Sequence, residues 1–276
     1  LFFEELKKKI CTKKLKNNEL ITKKNFRSKV VALIIVRLKS KRLKNKALLK
    51  IKNKTCLEIL ISRLSFSKKV DDIIICTTKN REDDKIVNIA KKNKISFFRG
   101  SSLNVLSRMV GAIKREDHQL IVRITGDDIL IDPEYLDKTI DLSFKTNSDY
   151  VTNKDIPSGC EVEIFSRKCL LDLNKYSINP DGTEYLTNYI TDHPNEFSSK
   201  KLSIPSALKK NYRLTIDTKN DFFIVKKIIS NFNNLSFSLK DLINYCNRVQ
   251  NFFLKHKQIK QKKMPSTLST QMKWGS

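Results

Sequence analysis

Three stretches of the chain carry residue types whose spacing suits phosphate and metal chemistry. The first, RLKSKRLKNK over residues 37–46, gathers Arg37, Lys39, Lys41, Arg42, Lys44 and Lys46 around Ser40. Guanidinium groups grip phosphate oxygens in pairs and ammonium groups add point charge, so such a loop suits a triphosphate. On composition alone a solvated basic loop fits equally well; its position directly after an apolar strand favours phosphate. The second, VRITGDD over residues 122–128, ends a β-branched run in Gly126 and two adjacent carboxylates. Magnesium takes one or two carboxylates together with substrate phosphates, which makes Asp127 its natural ligand, although Gly-Asp after a strand is also an ordinary turn. The third, YRLTIDTKND over residues 212–221, places Asp217 where a late segment can return to the same sheet edge. Judged by spacing alone, a helix N-cap at Asp217 or Thr218 is the stronger reading there.

The elements that must position these residues follow from hydrophobic periodicity. VVALIIV, residues 30–36, is a continuous apolar run of the kind that fills a strand buried on both faces. Thr55 with Glu58 forms a capping box ahead of a helix through Ile59, Leu60 and Leu64. A second buried strand spans 72–77, and Asn80 is placed to cap a helix with Glu82, Asp83 and Asp84 in its first turn. A strand at 95–98, a helix at about 103–114 and a strand at 119–125 continue the alternation. Strands separated by helices imply βαβ units and a mostly parallel, doubly wound sheet, with ligands outside the C-terminal strand ends. That rule selects the loops at 37–46, 77–81 and 126–133. Further on, the pattern predicts a helix at 134–144, strands at 149–152 and 161–166, a helix at 184–191, a strand at 212–216 and helices at 220–230 and 238–254. The 161–166 strand alternates as if one face were solvated.

Composition bounds the rest. With 276 residues and 39% hydrophobic content the chain can bury one good-sized core. We divide it into a basic extension (1–28), one catalytic domain (29–255) and a tail (256–276). The formal charge of +26 would suit a polyanion, but the lysines are spread over nearly every segment, which leaves nucleic acid as a minor reading. Six cysteines, Cys11, Cys56, Cys76, Cys160, Cys169 and Cys246, contain no CxxC pair and read as reduced core thiols, so a soluble, cytoplasmic protein is expected. No apolar run approaches the roughly 18 residues of a membrane span, and LFFEELKKKI is too short and charged for a signal peptide. Starting at Leu and ending in a polar tail, the sequence fits a piece of a longer polypeptide as well as a whole one.

Together, these segments and their order resemble the cytidylyltransferases of the spore-coat-polysaccharide type, relatives of the CMP-Kdo and CMP-acylneuraminate synthetases, over about residues 30–229. Arg37, Ser40, Arg42, Leu43 and Lys46 stand where that family has its phosphate loop. TTKNREDDKIV, FRGS, VLSR, VRITGD, LID, EVEIFS, GTEYLTNYI and RLTIDT follow in the family's order. The resemblance implies a nucleotide-diphospho-sugar transferase-like (Rossmann-like) α/β three-layer sandwich with a mixed, mostly parallel central sheet. It implies that Arg37, Ser40, Arg42 and Lys46 hold the phosphates of CTP, and that Asp127 and Asp217 bind Mg²⁺. Arg37, Lys46 and Asp127 would be catalytic, and Arg99 and Ser101 would lie near the nucleotide. Arg123, Glu161, Glu163 and Glu184 would line or support the pocket for a sugar, with a keto-sugar acid as the implied acceptor and a homodimer as the implied assembly. An exposed strand edge accounts for Glu161 and Glu163 nearly as well.

The chain departs from the family at Lys39, Lys44 and Asn45, where Gly, Pro and Gly are usual, at Asp128 and Ile129, where a small residue and Pro are usual, and at Tyr185 in place of His. Losing glycine restricts backbone approach to phosphate, though Asn tolerates positive φ better than most residues. His118, His193 and His256 fall outside the implied site segments, so proton removal from the attacking hydroxyl is assigned to metal-assisted activation. Two rivals stand beside this reading: a glycosyltransferase using Asp127 and Asp128 to hold a nucleotide-diphosphate sugar, and a catalytically degenerate nucleotide-binding homologue.

Overall fold

The computed structural model describes residues 29–40, 42–114, 117–176 and 186–249. The basic extension, the tail, Cys11, Lys41, Glu184, Tyr185 and His256 lie outside the described residues. Seven strands form one sheet: β1 (Lys29–Ile35), β4 (Asp72–Thr78), β5 (Ser96–Gly100), β6 (His118–Thr125), β7 (Tyr150–Thr152), β8 (Glu163–Ser166) and β9 (Ser199–Lys201). Their order is β5-β4-β1-β6-β8-β7-β9. β1 pairs in parallel with both β4 and β6, β4 with β5, and β7 with β9, whereas β8 runs antiparallel between β6 and β7. A short hairpin, β2 (Lys50–Ile51) and β3 (Lys54–Thr55), stands apart from the sheet.

The central strand shows why the sheet sits between two helical layers. Successive side chains of β1 point to opposite faces, so Val30, Ala32 and Ile34 join one core and Val31, Leu33 and Ile35 the other. The first core is covered by α1 (Cys56–Leu64), α2 (Asp84–Lys92), α4 (Pro133–Thr146), α7 (Lys219–Asn231) and α8 (Leu239–Arg248); the second by α3 (Val105–Ile113), α5 (Arg167–Tyr176) and α6 (Leu186–Asp192). Both faces of β1 are thus sealed, as its unbroken apolar run requires. Cys56, Cys76, Cys160, Cys169 and Cys246 are buried free thiols. Among the described residues no helix is long and apolar enough to cross a membrane.

The capping box forms as expected: Glu58 N donates to Thr55 Oγ1 at 3.2 Å and Thr55 N to Glu58 Oε2 at 2.8 Å. Three expectations need correction. Asn80 makes no side-chain cap, because residues 81–83 form a 3₁₀ turn that carries Asp83 inward. The polar face of the 161–166 segment is half-buried rather than solvated, because Glu163 is drawn into a network with Arg123 and Tyr150. Residues 212–216 do not join the sheet. They pair with the loop before β8 through one isolated bridge, Ser158 with Arg213, flanked by Ser158 N to Tyr212 O (2.9 Å) and Leu214 N to Ser158 O (2.7 Å).

Gly159 makes that docking sterically feasible. Its φ is +95°, and a Cβ there would stand 2.5 Å from Thr215 N. Arg63, on α1 and fully buried, ties the loop before α4 to the connection between α7 and α8. It donates to Ile131 O (2.8 Å), Leu235 O (2.7 Å) and Phe237 O (3.3 Å), and stacks over the Phe237 ring. Burial lowers its pKa to about 10, against the opposing pull of Asp132. Arg63→Met should therefore strand three carbonyls and destabilise the chain by roughly 3 kcal/mol or more, read as a lower midpoint in urea denaturation.

Candidate active site

β1 has β4 on one side and β6 on the other, so the chain reverses its direction of winding at β1 and opens a crevice at the C-terminal strand ends. The loops leaving β1 and β6 meet there. Gly126 permits the contact: its N donates to Ile35 O at 2.9 Å, and a Cβ on it would come within 2.7 Å of Val36 Cγ2. The late segment arrives beside them, with Ile216 N donating to Asp127 O at 3.1 Å. Thr218 caps α7 reciprocally with Asp221, so the cap falls on Thr218 and leaves the Asp217 side chain for the crevice.

Arg42, Lys46, Asp127 and Asp217 converge at this point. Lys46 Nζ donates to Asp127 and, at 3.1 Å, to Asp217 Oδ1; Arg42 Nη2 reaches the same Oδ1 at 2.8 Å and Arg213 Nη2 reaches Oδ2 at 2.7 Å. Burial would push the Lys46 ammonium down, but the two carboxylates outweigh it and hold its pKa above the ordinary lysine value. Burial likewise opposes ionisation of Asp217, yet Lys46, Arg213 and Arg42 hold its carboxyl below the usual range. Two carboxylates from distant parts of the chain thus share one cation. This donor set fits a hard divalent ion, which would complete its shell with substrate phosphates and water.

The neighbouring polar residues fall on either side. Toward β8, Arg123 pairs with Glu163, whose other oxygen accepts from Thr187 Oγ1 (2.6 Å) and Tyr150 OH (3.1 Å). Against the cost of burial, Arg123 and these hydroxyls hold the Glu163 carboxyl below its ordinary value. Glu161 accepts from Gly159 N at 2.7 Å. Burial, reinforced by Glu163, pushes Glu161 up to about 7. Burial, together with Asp127 and Glu161, pushes Asp128 up to about 8, while the Thr125 hydroxyl donates to it at 2.6 Å. The exposed-edge reading of Glu161 and Glu163 is thereby replaced by a half-buried network.

Toward β5, Arg37 Nη1 donates to Ser102 O and the buried Arg108 to Ser101 O, each at 2.8 Å, so two guanidinium groups steady consecutive carbonyls of one loop. Ser101 Oγ accepts from the backbone of Leu103 and Asn104, and Ser40 Oγ from Leu43 N at 3.4 Å. Arg99 is engaged in bracing the loop after β4, through Thr78 O (2.8 Å), Asn80 O (2.8 Å) and Asp84 (2.6 Å). Sequence reasoning missed Asp83, which is fully buried and accepts from Leu38 N (2.8 Å) and from the Thr78 hydroxyl. It anchors the start of the basic loop to the end of β4. Arg213 was also missed as a site residue; its spacing of four residues from Asp217 was the available signal.

A cytidylyltransferase family profile matches residues 31–273. An uncharacterized protein of Methanocaldococcus jannaschii, MJ1063, is 38% identical over 221 residues, 80% of this chain and 91% of its own length. The spore coat polysaccharide biosynthesis protein SpsF of Bacillus subtilis is 32% identical over 205 residues, 72% of this chain and 85% of its own length. The structure of a cytidylyltransferase from Leptospira borgpetersenii superposes with a TM-score of 0.78 at 33% identity, covering 85% of this chain and all of the other. The architecture is accordingly the nucleotide-diphospho-sugar transferase-like sandwich, with its mixed, mostly parallel sheet.

Two outcomes follow from the geometry. Asp83→Ala should release the start of the basic loop and weaken CTP binding by about tenfold, measured calorimetrically, because two donors lose their buried acceptor. Glu161 titrates near 7 in the fold but at about 4.3 in an unfolded chain, so the folded state favours its protonated form. That contribution is complete below about 4.3 and lost as pH rises through 7. The metal-free protein should then melt at a lower temperature at pH 8 than at pH 5, and Glu161→Gln, neutral throughout, should flatten this slope.

Proposed function

The chain belongs to the cytidylyltransferase family, and from that premise we propose that it transfers CMP from CTP to a sugar hydroxyl, releasing pyrophosphate. The observation that carries the proposal is the meeting of Arg42, Lys46, Asp127 and Asp217 at one crevice, across sequence separations of 81, 171 and 175 residues. Arg37, Arg42 and Lys46 would receive the triphosphate from the loop after β1, and Ser40 would add a hydroxyl donor beside them. Asp127 and Asp217 would hold Mg²⁺, which when bound supplies charge neutralisation at the phosphates. Catalysis then rests on positioning: the crevice aligns the acceptor hydroxyl with the α-phosphorus while the arginines and Lys46 stabilise the departing pyrophosphate.

The acceptor end would be built on Arg123, oriented by Glu163, with Glu161 beside it. A keto-sugar acid is the acceptor we propose, supported by the resemblance to CMP-Kdo and acylneuraminate synthetases. A role in surface polysaccharide synthesis is supported by the likeness to SpsF, which is named for that process. We further propose one catalytic domain over 29–255, a cytoplasmic location and a homodimer. The glycosyltransferase alternative asks Asp127 and Asp128 to act as a pair, yet Asp128 turns to Thr125 while Asp127 faces Lys46.

The test is pyrophosphate release from each of the four nucleoside triphosphates, with Mg²⁺, against a panel of keto-sugar acids. CTP-selective, acceptor-dependent release should fall by about a hundredfold or more in Asp127→Asn. Release that is indifferent to the acceptor, or unchanged in the variant, would sink the assignment.

A further inference from the structure

Lys46 does not wait in solvent for a phosphate. Its ammonium lies between the two carboxylates proposed for the metal, with its side chain only 16% exposed. Its Cα is fixed by the turn it begins: Asn45 before it is left-handed (φ 56°), and Ala47 after it is buried. Only the four-carbon side chain is free to relocate. Among the described residues Lys46 is the sole hydrogen-bond donor to the Asp127 carboxylate, whereas Asp217 keeps Arg42 and Arg213 when Lys46 is discounted. An ammonium and a divalent cation cannot share the space between Asp127 and Asp217, since like charges at contact distance repel strongly in a half-buried site.

We propose that Lys46 is the resident cation of the Asp127–Asp217 pair in the nucleotide-free protein, and that it yields the pair to a divalent ion only when a triphosphate arrives to receive its ammonium. The inference rests on the metal role proposed above for these carboxylates. Departure of Lys46 alone would leave Asp127 without a counter-charge, and entry of the metal alone would leave the ammonium displaced with no anion to accept it. Exchange of one cation for another, with the triphosphate taking the lysine, satisfies every charge at once. Metal and nucleotide therefore bind as a coupled pair, and Lys46 serves as a positioning residue that keeps the carboxylates apart and preformed beforehand. The other charged or titratable groups around the ammonium fit this scheme: Arg213 stays on Asp217, Arg42 holds that carboxylate through Nη2 and keeps its remaining donors for the triphosphate proposed above, and the Cys56 thiol, pushed up to about 12 by burial, supplies no competing charge.

The intact chain is titrated with Mn²⁺ alone, and with Mn²⁺ and CTP together, following bound Mn²⁺ by electron paramagnetic resonance. The intact chain should hold Mn²⁺ weakly without nucleotide. Lys46→Met should hold it about tenfold tighter or more, because no resident charge has to be displaced, and adding Asp127→Asn to that variant should abolish the gain. Lys46→Gln, which keeps N–H donors for both carboxylates, should show the same tightening and serves if the methionine variant does not fold. Unchanged or weaker Mn²⁺ binding in folded Lys46 variants would overturn the proposal. A measurement without substitution at this position uses ¹⁵N-lysine NMR of the intact chain: the Lys46 ammonium resonance should leave its ion-paired position when Mg²⁺ and CTP are added together. Movement with Mg²⁺ alone would also overturn it. Absence of Mn²⁺ binding in every chain, with CTP included, has a different meaning: the metal role of Asp127 and Asp217 fails, and this inference fails with it.

Discussion

The site depends on one backbone hydrogen bond, from Ile216 N to Asp127 O, and on the docking that makes it available. Asp127 lies in the turn just after β6, near the middle of the sheet, while Asp217 belongs to a segment that makes no strand at all. The two carboxylates are brought together because residues 212–216 lie along the loop before β8, where Gly159 lets two backbones approach closer than any side chain would permit. Fixing this register costs conformational entropy, which the flanking anchors offset. Leu214 and Ile216 are buried in the core, and Thr218 with Asp221 stops the segment at a defined helix start. A local sequence signal for Asp217 alone gives only a cap, and the metal reading comes from the contact.

The scaffold was largely legible because its determinants are periodic. The run at 30–36 declared a doubly buried strand, and the structure places it at the centre of the sheet with alternate residues in opposite cores. Truncating one such residue, as in Leu33→Ala, belongs to the class of core changes that cost about 2–5 kcal/mol, so this pattern is strongly constrained. The Thr55–Glu58 capping box was equally readable, since both partners lie within one turn. Prediction failed where an element takes its conformation from tertiary contact. The 212–216 segment alternates like a strand but pairs with a loop, and the 161–166 segment looks half-solvated because its polar residues are satisfied by partners from β6, β7 and α6.

Polar networks escaped the sequence for a related reason. An acidic residue near a helix start reads as a complement to the helix dipole, and Asp83 was assigned that way. A 3₁₀ turn rotates it inward instead, where it holds Leu38 N and the Thr78 hydroxyl. Arg99 and Arg108 show the converse. Arg99 stands in a motif placed near the nucleotide and Arg108 in another stretch shared with the family, yet Arg99 directs its donors to the loop after β4 and Arg108 donates to Ser101 O. Composition and spacing name such residues without telling a side chain that meets the ligand from one that shapes the loop meeting it. Hydrogen-bond partners make that distinction.

The loop after β1 is held in shape by its own hydrogen bonds at and around the departures at Lys39, Lys44 and Asn45. A glycine is indispensable only where φ is positive or another group crowds the missing Cβ. Among the described residues with positive φ, Asn45 is the one within this loop, and asparagine is the side chain that adopts the left-handed region with least cost. Lys39 and Lys44 have ordinary backbone and exposed side chains, so neither forces the loop away from the crevice. Leu38 O accepts from Ser40 N and Asn45 N, closing the loop on itself, while Asp83 holds Leu38 N near its start and the turn at 46–48 fixes its end. Asn45 thus takes the left-handed position without a glycine, and neither Lys39 nor Lys44 has a positive φ that would require one. Of the two lysines added, each brings a positive charge to the rim of a site meant for a polyphosphate, where the long-range field favours the ligand's approach.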